Sequence, residues 1–463
     1  MATYMQVICT VITCWQCLIM GMITAWPSST LRLFESSKTP LQRAMSETEL
    51  ALFGSMPSVG ALLGTPLLGA LMDTLGRRYC CILIGLTAVI SWSVIAVSNS
   101  VEIVLTAMFI AGLCGGVFLV VPIYICEFSQ ENVRGALTTG MTIFNTLGML
   151  ISYVLGGFLE YHTMVYVCLT MCVFGTVFCY FLKESPVYLM VKGLEDDAAK
   201  SIAFYRSVSS TSKEVQEELE VIRRTLFPEM DTHDSPEAEQ LKPPSDSCRK
   251  LTLWEFISRS RSTRQAIILS LFLVTASVFH GLVVVQVYAE PLFAEAIPHM
   301  SSTLCSILLA VFTVLAGLVA AYLTEKAGRR LLMILSSLLS AICCLVLGAQ
   351  IQLHWGPNWV TPVCIYLFCI VYTLGASNVP YVFLAEVFLP EIKSFASSLA
   401  MEWAWLCNFA ILFIFNPLLK AIGLGPIFYM FAVVCLLTVV FSWLFMPETK
   451  GIPVDEIQVV LTK

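Results

Sequence analysis

The stretch GALMDTLGRRYCCIL, residues 69–83, sets one acid and two arginines between apolar runs long enough to cross a bilayer. Alone it marks a turn between two membrane helices, because Lys and Arg prefer cytoplasmic loops. A twin lies about 250 residues downstream, where TEKAGRRLL, residues 324–332, repeats acid, spacer, Gly-Arg-Arg and apolar run. Two further segments recur in the same order. VVPIYICEFSQENVRGAL, residues 120–137, matches VPYVFLAEVFLPEIKSFA, residues 379–396, with Glu127 and Arg134 spaced as Glu386 and Lys393. KESPVYL, residues 183–189, matches MPETKG, residues 446–451. Three correspondences in one order read as a parallel duplication of six-helix halves.

Composition agrees with a membrane protein. Of 463 residues 57% are hydrophobic and 13% charged, and mean hydropathy is +0.82, well above the range of soluble domains. The net charge of −6, with basic residues confined to loops, argues against a nucleic-acid partner. The 18 cysteines lie almost all in apolar runs and read as small buried hydrophobes; Cys14 and Cys17 sit mid-helix with no second pair and no nearby His. No basic region precedes the first apolar run, so it is expected to stay as a span.

A span needs roughly 20 apolar residues of helix. About twelve candidates follow, at 4–26, 49–72, 79–98, 101–125, 136–158, 163–182, 265–288, 301–323, 331–351, 360–385, 394–419 and 425–446. The expected division is a first bundle over 1–183, a linker over 184–263, a second bundle over 264–446 and a tail over 447–463. The linker contains KEVQEELEVIRR at helical spacing and a run rich in Pro, Asp and Ser, HDSPEAEQLKPPSDS, expected to be flexible. Lys and Arg crowd the two GRR turns, the loop at Arg134 and the linker, which places these and both termini in the cytosol. The loop with Arg32, Lys38 and Arg43 dissents, and no Asn-x-Ser/Thr acceptor gives an independent check.

At these residues the chain resembles the sugar porter family of the major facilitator superfamily. The resemblance rests on D-x-x-GRR at Asp73 to Arg78, P-x-Y-x-x-E at Pro122 to Glu127 followed by Arg134-Gly135, E-S-P at Glu184 to Pro186, and P-E-T-K-G at Pro447 to Gly451. Within that family GLCGGVFLVVPIYICEFSQENVRGAL and Ala25-Trp26 look most like insect facilitated trehalose transporters. The resemblance implies an all-α major facilitator fold whose two six-helix bundles rock about a midplane site. It also implies a cytosolic gating network of Asp73, Arg77, Arg78, Glu127, Arg134 and Glu184, with Glu325, Arg329, Arg330, Glu386, Lys393 and Glu448 as its second copy. A GRR turn is equally a positive-inside anchor, but an anchor needs no spaced carboxylates.

The solute positions depart from the family. Its fifth-helix Gln falls at Thr142, the seventh-helix Gln pair at Ser277 and Val278 with the following Asn at Val283, the eighth-helix Asn at Thr313 and the eleventh-helix Asn at Ala404; Trp405 remains. The tenth-helix motif reads Ser377-Asn378-Val379-Pro380-Tyr381. Losing a buried hydroxyl partner costs roughly 1–3 kcal/mol, so other groups must serve: Asn145, His280, Gln286, Asn378, Asn408 and Glu402, with Trp405 and Tyr381 as cavity aromatics. Glu402 costs about 2.5–3.5 kcal/mol at a span centre and is not expected to face lipid, although near a helix end it would snorkel or join the gating network. His280, Asn145 and Asn378 read equally as ligands or as helix-to-helix hydrogen bonders.

Proton-coupled sugar porters pair a first-helix Asp with a fourth-helix Arg; those positions are Ile23 and Ala107, which favours facilitated diffusion. No nucleotide-binding loop, catalytic dyad or metal-ligand cluster appears, so neither enzymatic chemistry nor a cofactor is expected. The expected partner is a small solute, trehalose or a hexose, at the plasma membrane. A transporter of another polar or cationic solute and a non-transporting nutrient sensor, with residues 233–247 as its tail, stay open.

Overall fold

The computed structural model describes residues 2–226, 260–388, 390–450, 452 and 457. The expected run HDSPEAEQLKPPSDS lies outside them. Among the described residues, twelve helices long and apolar enough to cross a membrane follow one another. The first three are α1 (Ala2–Glu35), α2 (Glu47–Leu75) and α3 (Arg77–Val97). The fourth span is α4 (Val101–Gly112), a 3-10 turn at Leu113–Gly116, and α5 (Val117–Phe128). The fifth and sixth are α6 (Glu131–Phe158) and α7 (Tyr161–Cys179). Three short helices come next, α8 (Pro186–Val191), α9 (Glu195–Arg206) and α10 (Lys213–Leu226), the last being the charged helical run of the linker.

The seventh span is α11 (Arg261–Phe279) continued by α12 (Leu282–Val287), after which α13 (Ala289–Ala296) leads to α14 (Ser302–Lys326) and α15 (Arg329–Leu353). The tenth is split into α16 (Val360–Leu374) and α17 (Val379–Val387), and α18 (Pro390–Ile422) and α19 (Leu424–Phe445) complete the bundle. The sequence reads the seventh and tenth spans as continuous, and the structure breaks both. Gly281 takes φ +97° between α11 and α12, where a side chain would be strained and would strike the Phe431 ring. Residues 375–378 interrupt the tenth span, and Pro380, in the first turn of α17, has no N–H to offer a continuing helix.

Close packing within the first half uses small residues. A Cβ at Gly60 or Gly112 would run into the backbone of the facing helix, so only glycine lets α2 and α4 lie so near. Trp26, Phe34, Phe53, Trp92 and Tyr161 form an aromatic cluster with ring centroids 5.0–6.5 Å apart, each such pair contributing about 0.5–1.5 kcal/mol. The two halves meet where α2 packs along α18 and α6 along α14. Leu63, Leu67, Phe174, Leu318 and Val440 are among many large apolar side chains left on the outside, as a lipid-facing surface requires. The described cysteines are free, and all but Cys126 and Cys343 are buried.

Candidate gating and solute site

The two GRR turns lie at one end of the helix bundle, here called the GRR end. Gly76 closes α2 and opens α3; at the second turn Ala327 closes α14 and Gly328 opens α15. The first backbone N–H groups of a helix have no partner within it, and in both halves a distant carboxylate supplies one. Glu184 accepts from the N–H of Arg77 at 2.8 Å, of Arg78 at 3.2 Å and of Ser185 at 2.9 Å. Glu448 accepts from the N–H of Arg329 at 2.8 Å, of Arg330 at 3.2 Å and of Thr449 at 3.1 Å. A Cβ on Gly76 or Gly328 would collide with that carboxylate, which explains the glycine of each GRR.

The arginines repeat their contacts with one exception: Arg329 Nε also donates to Glu386 at 3.2 Å, whereas Arg77 Nε is buried without a partner among the described residues. Arg77 pairs with Glu127 at 2.8 Å and Arg329 with Glu386 at 2.8 Å. Each also donates to the end of the preceding span, Arg77 to the Met72 carbonyl at 3.2 Å and Arg329 to the Thr324 carbonyl at 2.9 Å. Arg78 donates to the Tyr180 carbonyl at 2.6 Å and Arg330 to the Trp443 carbonyl at 2.5 Å. Each guanidinium also covers an aromatic ring of the same residue, at 5.0 Å for Tyr180 and 5.9 Å for Trp443. The second oxygen of each acid is held by a hydroxyl, Ser185 on Glu127 at 2.5 Å and Thr449 on Glu386 at 2.6 Å. The partners Ser185 and Thr449 follow directly on Glu184 and Glu448, so the third sequence correspondence supplies two contacts at once.

Two expected members stand apart. Asp73 is exposed and, among the described residues, makes no ion pair or hydrogen bond through its carboxylate, and the buried Arg134 Nε has no partner among them either. The side chains of Glu325 and Lys393 lie outside the described residues. One member has no sequence motif to announce it: Arg206, 5% exposed, donates to the Phe128 carbonyl at 2.8 Å and pairs with Glu218 at 2.5 Å. It docks α9 and α10 under the end of α5. Beside it Tyr205 stacks on Phe128 at 4.6 Å and, with Tyr124, donates to the Lys183 carbonyl. Ser201 donates to the Glu184 carbonyl at 2.5 Å. Burial raises the Tyr205 phenol, so it remains a donor there. Arg206 in FYRSVSS looks like any surface charge until the fold buries it.

Both networks run within a half. Among the described residues, every hydrogen bond and ion pair between halves lies toward the opposite, far end. Tyr153 donates to the Gln286 carbonyl at 2.5 Å, the Glu290 N–H to Ser28 at 2.9 Å, and Lys420 pairs with Glu47 at 2.8 Å. The helix α13, carried inward by the break at Gly281, makes the second of these. Burial raises the Glu290 carboxyl above its ordinary range, opposed by a hydrogen bond from Thr303 and the charge of Arg32. The seam is thus sealed at the far end.

Halfway along the seam Trp405 meets the first half, its ring 6.1 Å from Phe118 and within 3.2 Å of where a Cβ on Gly115 would lie. Near it in the sequence, Glu402 Oε1, Asn408 Oδ1 and the Trp405 indole nitrogen are buried without partners, as is Asn145 Oδ1 on α6. Other candidates are already engaged. Ser277 bonds to Tyr372 at 2.9 Å and to the Ala376 carbonyl at 2.9 Å, Thr313 donates to Leu309 in its own helix at 2.7 Å, and Asn378 donates to the Thr373 carbonyl at 3.3 Å. His280 is buried with neither ring nitrogen bonded, its ring 5.6 Å from Tyr372. Thr142 is partly buried and Tyr381 is 37% exposed. Among the described residues no three His, Cys, Asp or Glu are placed to hold a metal.

A family profile described as "Sugar (and other) transporter" matches residues 2–461. The Trehalose transporter 1 of Drosophila melanogaster is 25% identical over 448 residues, covering 95% of this chain and 50% of that one. The facilitated trehalose transporter Tret1 of Polypedilum vanderplanki is 25% identical over 462 residues, covering 98% and 88%. The chain therefore spans about half the length of the Drosophila relatives it matches. Among solved structures, the partially occluded inward-open form of the xylose transporter XylE from E. coli superposes with a TM-score of 0.76 at 20% identity, covering 96% of this chain and 98% of that one. Its inward-open form gives 0.76 at 19% identity, covering 97% and 98%. These share the fold: an all-α, twelve-span major facilitator architecture.

Proposed function

The chain belongs to the sugar (and other) transporter family, and from that premise we propose that it carries a sugar, trehalose or a hexose, down its gradient by alternating access. The observation that carries the reading is the contrast between the two ends. Each GRR corner is knitted within its own half, while among the described residues every polar link between halves lies at the far end. Such an arrangement faces the GRR side, which the Lys and Arg distribution assigns to the cytosol along with both termini.

In this reading residues 1–183 and 264–446 move as two bodies, with 184–263 as the linker and 447–463 as the tail, whose first acids, Glu184 and Glu448, stay bound to the body each follows. Arg77, Arg78, Glu127 and Glu184, and Arg329, Arg330, Glu386 and Glu448, keep the corner of each body rigid as the seam opens. Asp73 and Arg134 are free to take partners when the cytosolic side closes. The solute binds midway along the seam, where Asn145, Asn408, Glu402 and Trp405 keep unsatisfied polar atoms; each such atom costs about 1–3 kcal/mol unless a ligand or water meets it. Trp405 offers an apolar face to a pyranose ring. The relatives named as trehalose transporters support the substrate class, and the plasma membrane is the site that suits it. The missing Asp and Arg at Ile23 and Ala107 support transport without proton coupling.

A second reading, transport of a cationic solute, is favoured by one observation alone: Glu402 has a buried oxygen with no hydrogen-bond partner among the described residues. Uptake into proteoliposomes separates the two. Labelled trehalose or glucose should equilibrate without an imposed gradient and should not accumulate when a proton gradient is added. Uptake of organic cations without any sugar uptake would overturn the first reading.

A further inference from the structure

Among the described residues the far-end seam contains one ionic link, and its position gives it a role that the GRR corners do not have. Lys420, in the last turn of α18, places Nζ 2.8 Å from Oε1 of Glu47, the first residue of α2. The helix pair α2 and α18 is a main contact between the halves, so the bond crosses a surface that must part when the far side opens. Each charge sits where its own helix dipole favours it, the acid at an N-terminus and the base at a C-terminus. A cavity of about 410 Å³ reaches the pair, lined from both halves by Arg32, Glu35, Glu295 and Asn416 among others. Arg43, another nearby cation, is held within the first half by Glu49 at 2.5 Å and Glu102 at 2.9 Å, so it does not compete for Glu47.

We propose that Glu47 and Lys420 form the outer latch of the carrier: an ion pair made when the far side closes and broken each time it opens, whose strength sets the resting balance between the two orientations. This rests on the alternating-access reading above. With side chains 72% and 50% exposed, the pair is solvated and screened, so its loss shifts that balance about two- to fivefold and does not abolish cycling.

The test reads accessibility and needs no solute, so a failure to carry sugar leaves it intact. Leu50 lies one turn inward from Glu47, lines the same cavity and is 4% exposed. In full-length protein carrying Leu50→Cys, with the unsubstituted chain as background control, labelling by a membrane-impermeant maleimide from the outside reports seam opening. Lys420→Glu and Glu47→Lys should each speed labelling about two- to fivefold, and the double swap should return it to near the starting rate. Unchanged rates in the single variants, or a double swap as fast as they are, overturns the proposal. If a charge reversal fails to reach the membrane, salt decides instead. Raising sodium chloride from about 0.02 to 1 M shortens the screening length several-fold and should accelerate labelling of the paired protein but not of Lys420→Gln. Equal acceleration in both overturns the latch.

Discussion

The corners at Gly76 and Gly328 share most of their bonds but not the same support. Arg77 and Glu127 are 13% and 14% exposed, whereas Arg329 and Glu386 are 14% and 27% exposed. Behind the first corner three short helices are pinned by Ser201, Tyr205 and Arg206. Behind the second, Lys450 donates to the Lys326 carbonyl at 2.5 Å. Gly76 takes φ +96° and Gly328 does not leave the ordinary negative range. Duplication therefore preserved the carboxylate cap and the Arg–Glu pair while the surroundings diverged, which separates what the corner needs from what one half has added.

The largest effects should come from the central pair. Arg77→Ala leaves Glu127 partly buried without its cation and should cost about 3 kcal/mol, against about 2 kcal/mol for Arg329→Ala, whose acid is more open to water. Thermal unfolding of purified protein in detergent measures both; equal losses would mean that the extra bracing of the first corner adds nothing. Arg206→Ala should destabilise the first half by about 2 kcal/mol, since its loss also strands the Phe128 carbonyl and Glu218. Limited proteolysis should then cut between α8 and α10 while leaving the second corner as resistant as before. Next comes Gly76→Ala, about 1–2 kcal/mol worse than Gly328→Ala, because both crowd a carboxylate but only the first forces a side chain onto a left-handed backbone. The smallest and most even change belongs to Glu184→Gln and Glu448→Gln, about 1 kcal/mol each, since the amide oxygen still accepts from the helix N-terminus but the favourable charge is lost. A clear asymmetry there would show that the two caps are not equivalent.

Much of the architecture was legible in the sequence. Twelve spans follow from apolar length, and the matched bonding at the two GRR turns follows from their pairing, because repetition turns a common motif into a spatial constraint. The pairings of Arg77 with Glu127 and Arg329 with Glu386 were legible for the same reason. Asp73 and Arg134 were not separable from them, since spacing places a residue on a helix end without saying which way its side chain turns. Arg206 was invisible because its partner is a backbone carbonyl 78 residues away. The breaks at Gly281 and at residues 375–378 were hidden because apolar runs continue straight through them. Ser277 and Thr313 occupy positions where the family carries amides, yet both hydroxyls are spent on protein partners, a fact set by neighbours rather than by residue type. Which end of the seam is closed depends on contacts between residues more than 100 positions apart, and no local period encodes that.

The central claim is that each corner is a brace inside its own half and that, among the described residues, the halves are joined by polar contacts only at the far end. Double-mutant cycles on thermal stability test it most directly, with Arg77, Glu127, Arg329 and Glu386 replaced singly and in pairs. The account predicts coupling of about 1.5–3 kcal/mol for Arg77 with Glu127 and for Arg329 with Glu386, and below about 0.5 kcal/mol for Arg77 with Glu386 and for Arg329 with Glu127. Cross-half coupling as large as that within the halves would contradict it.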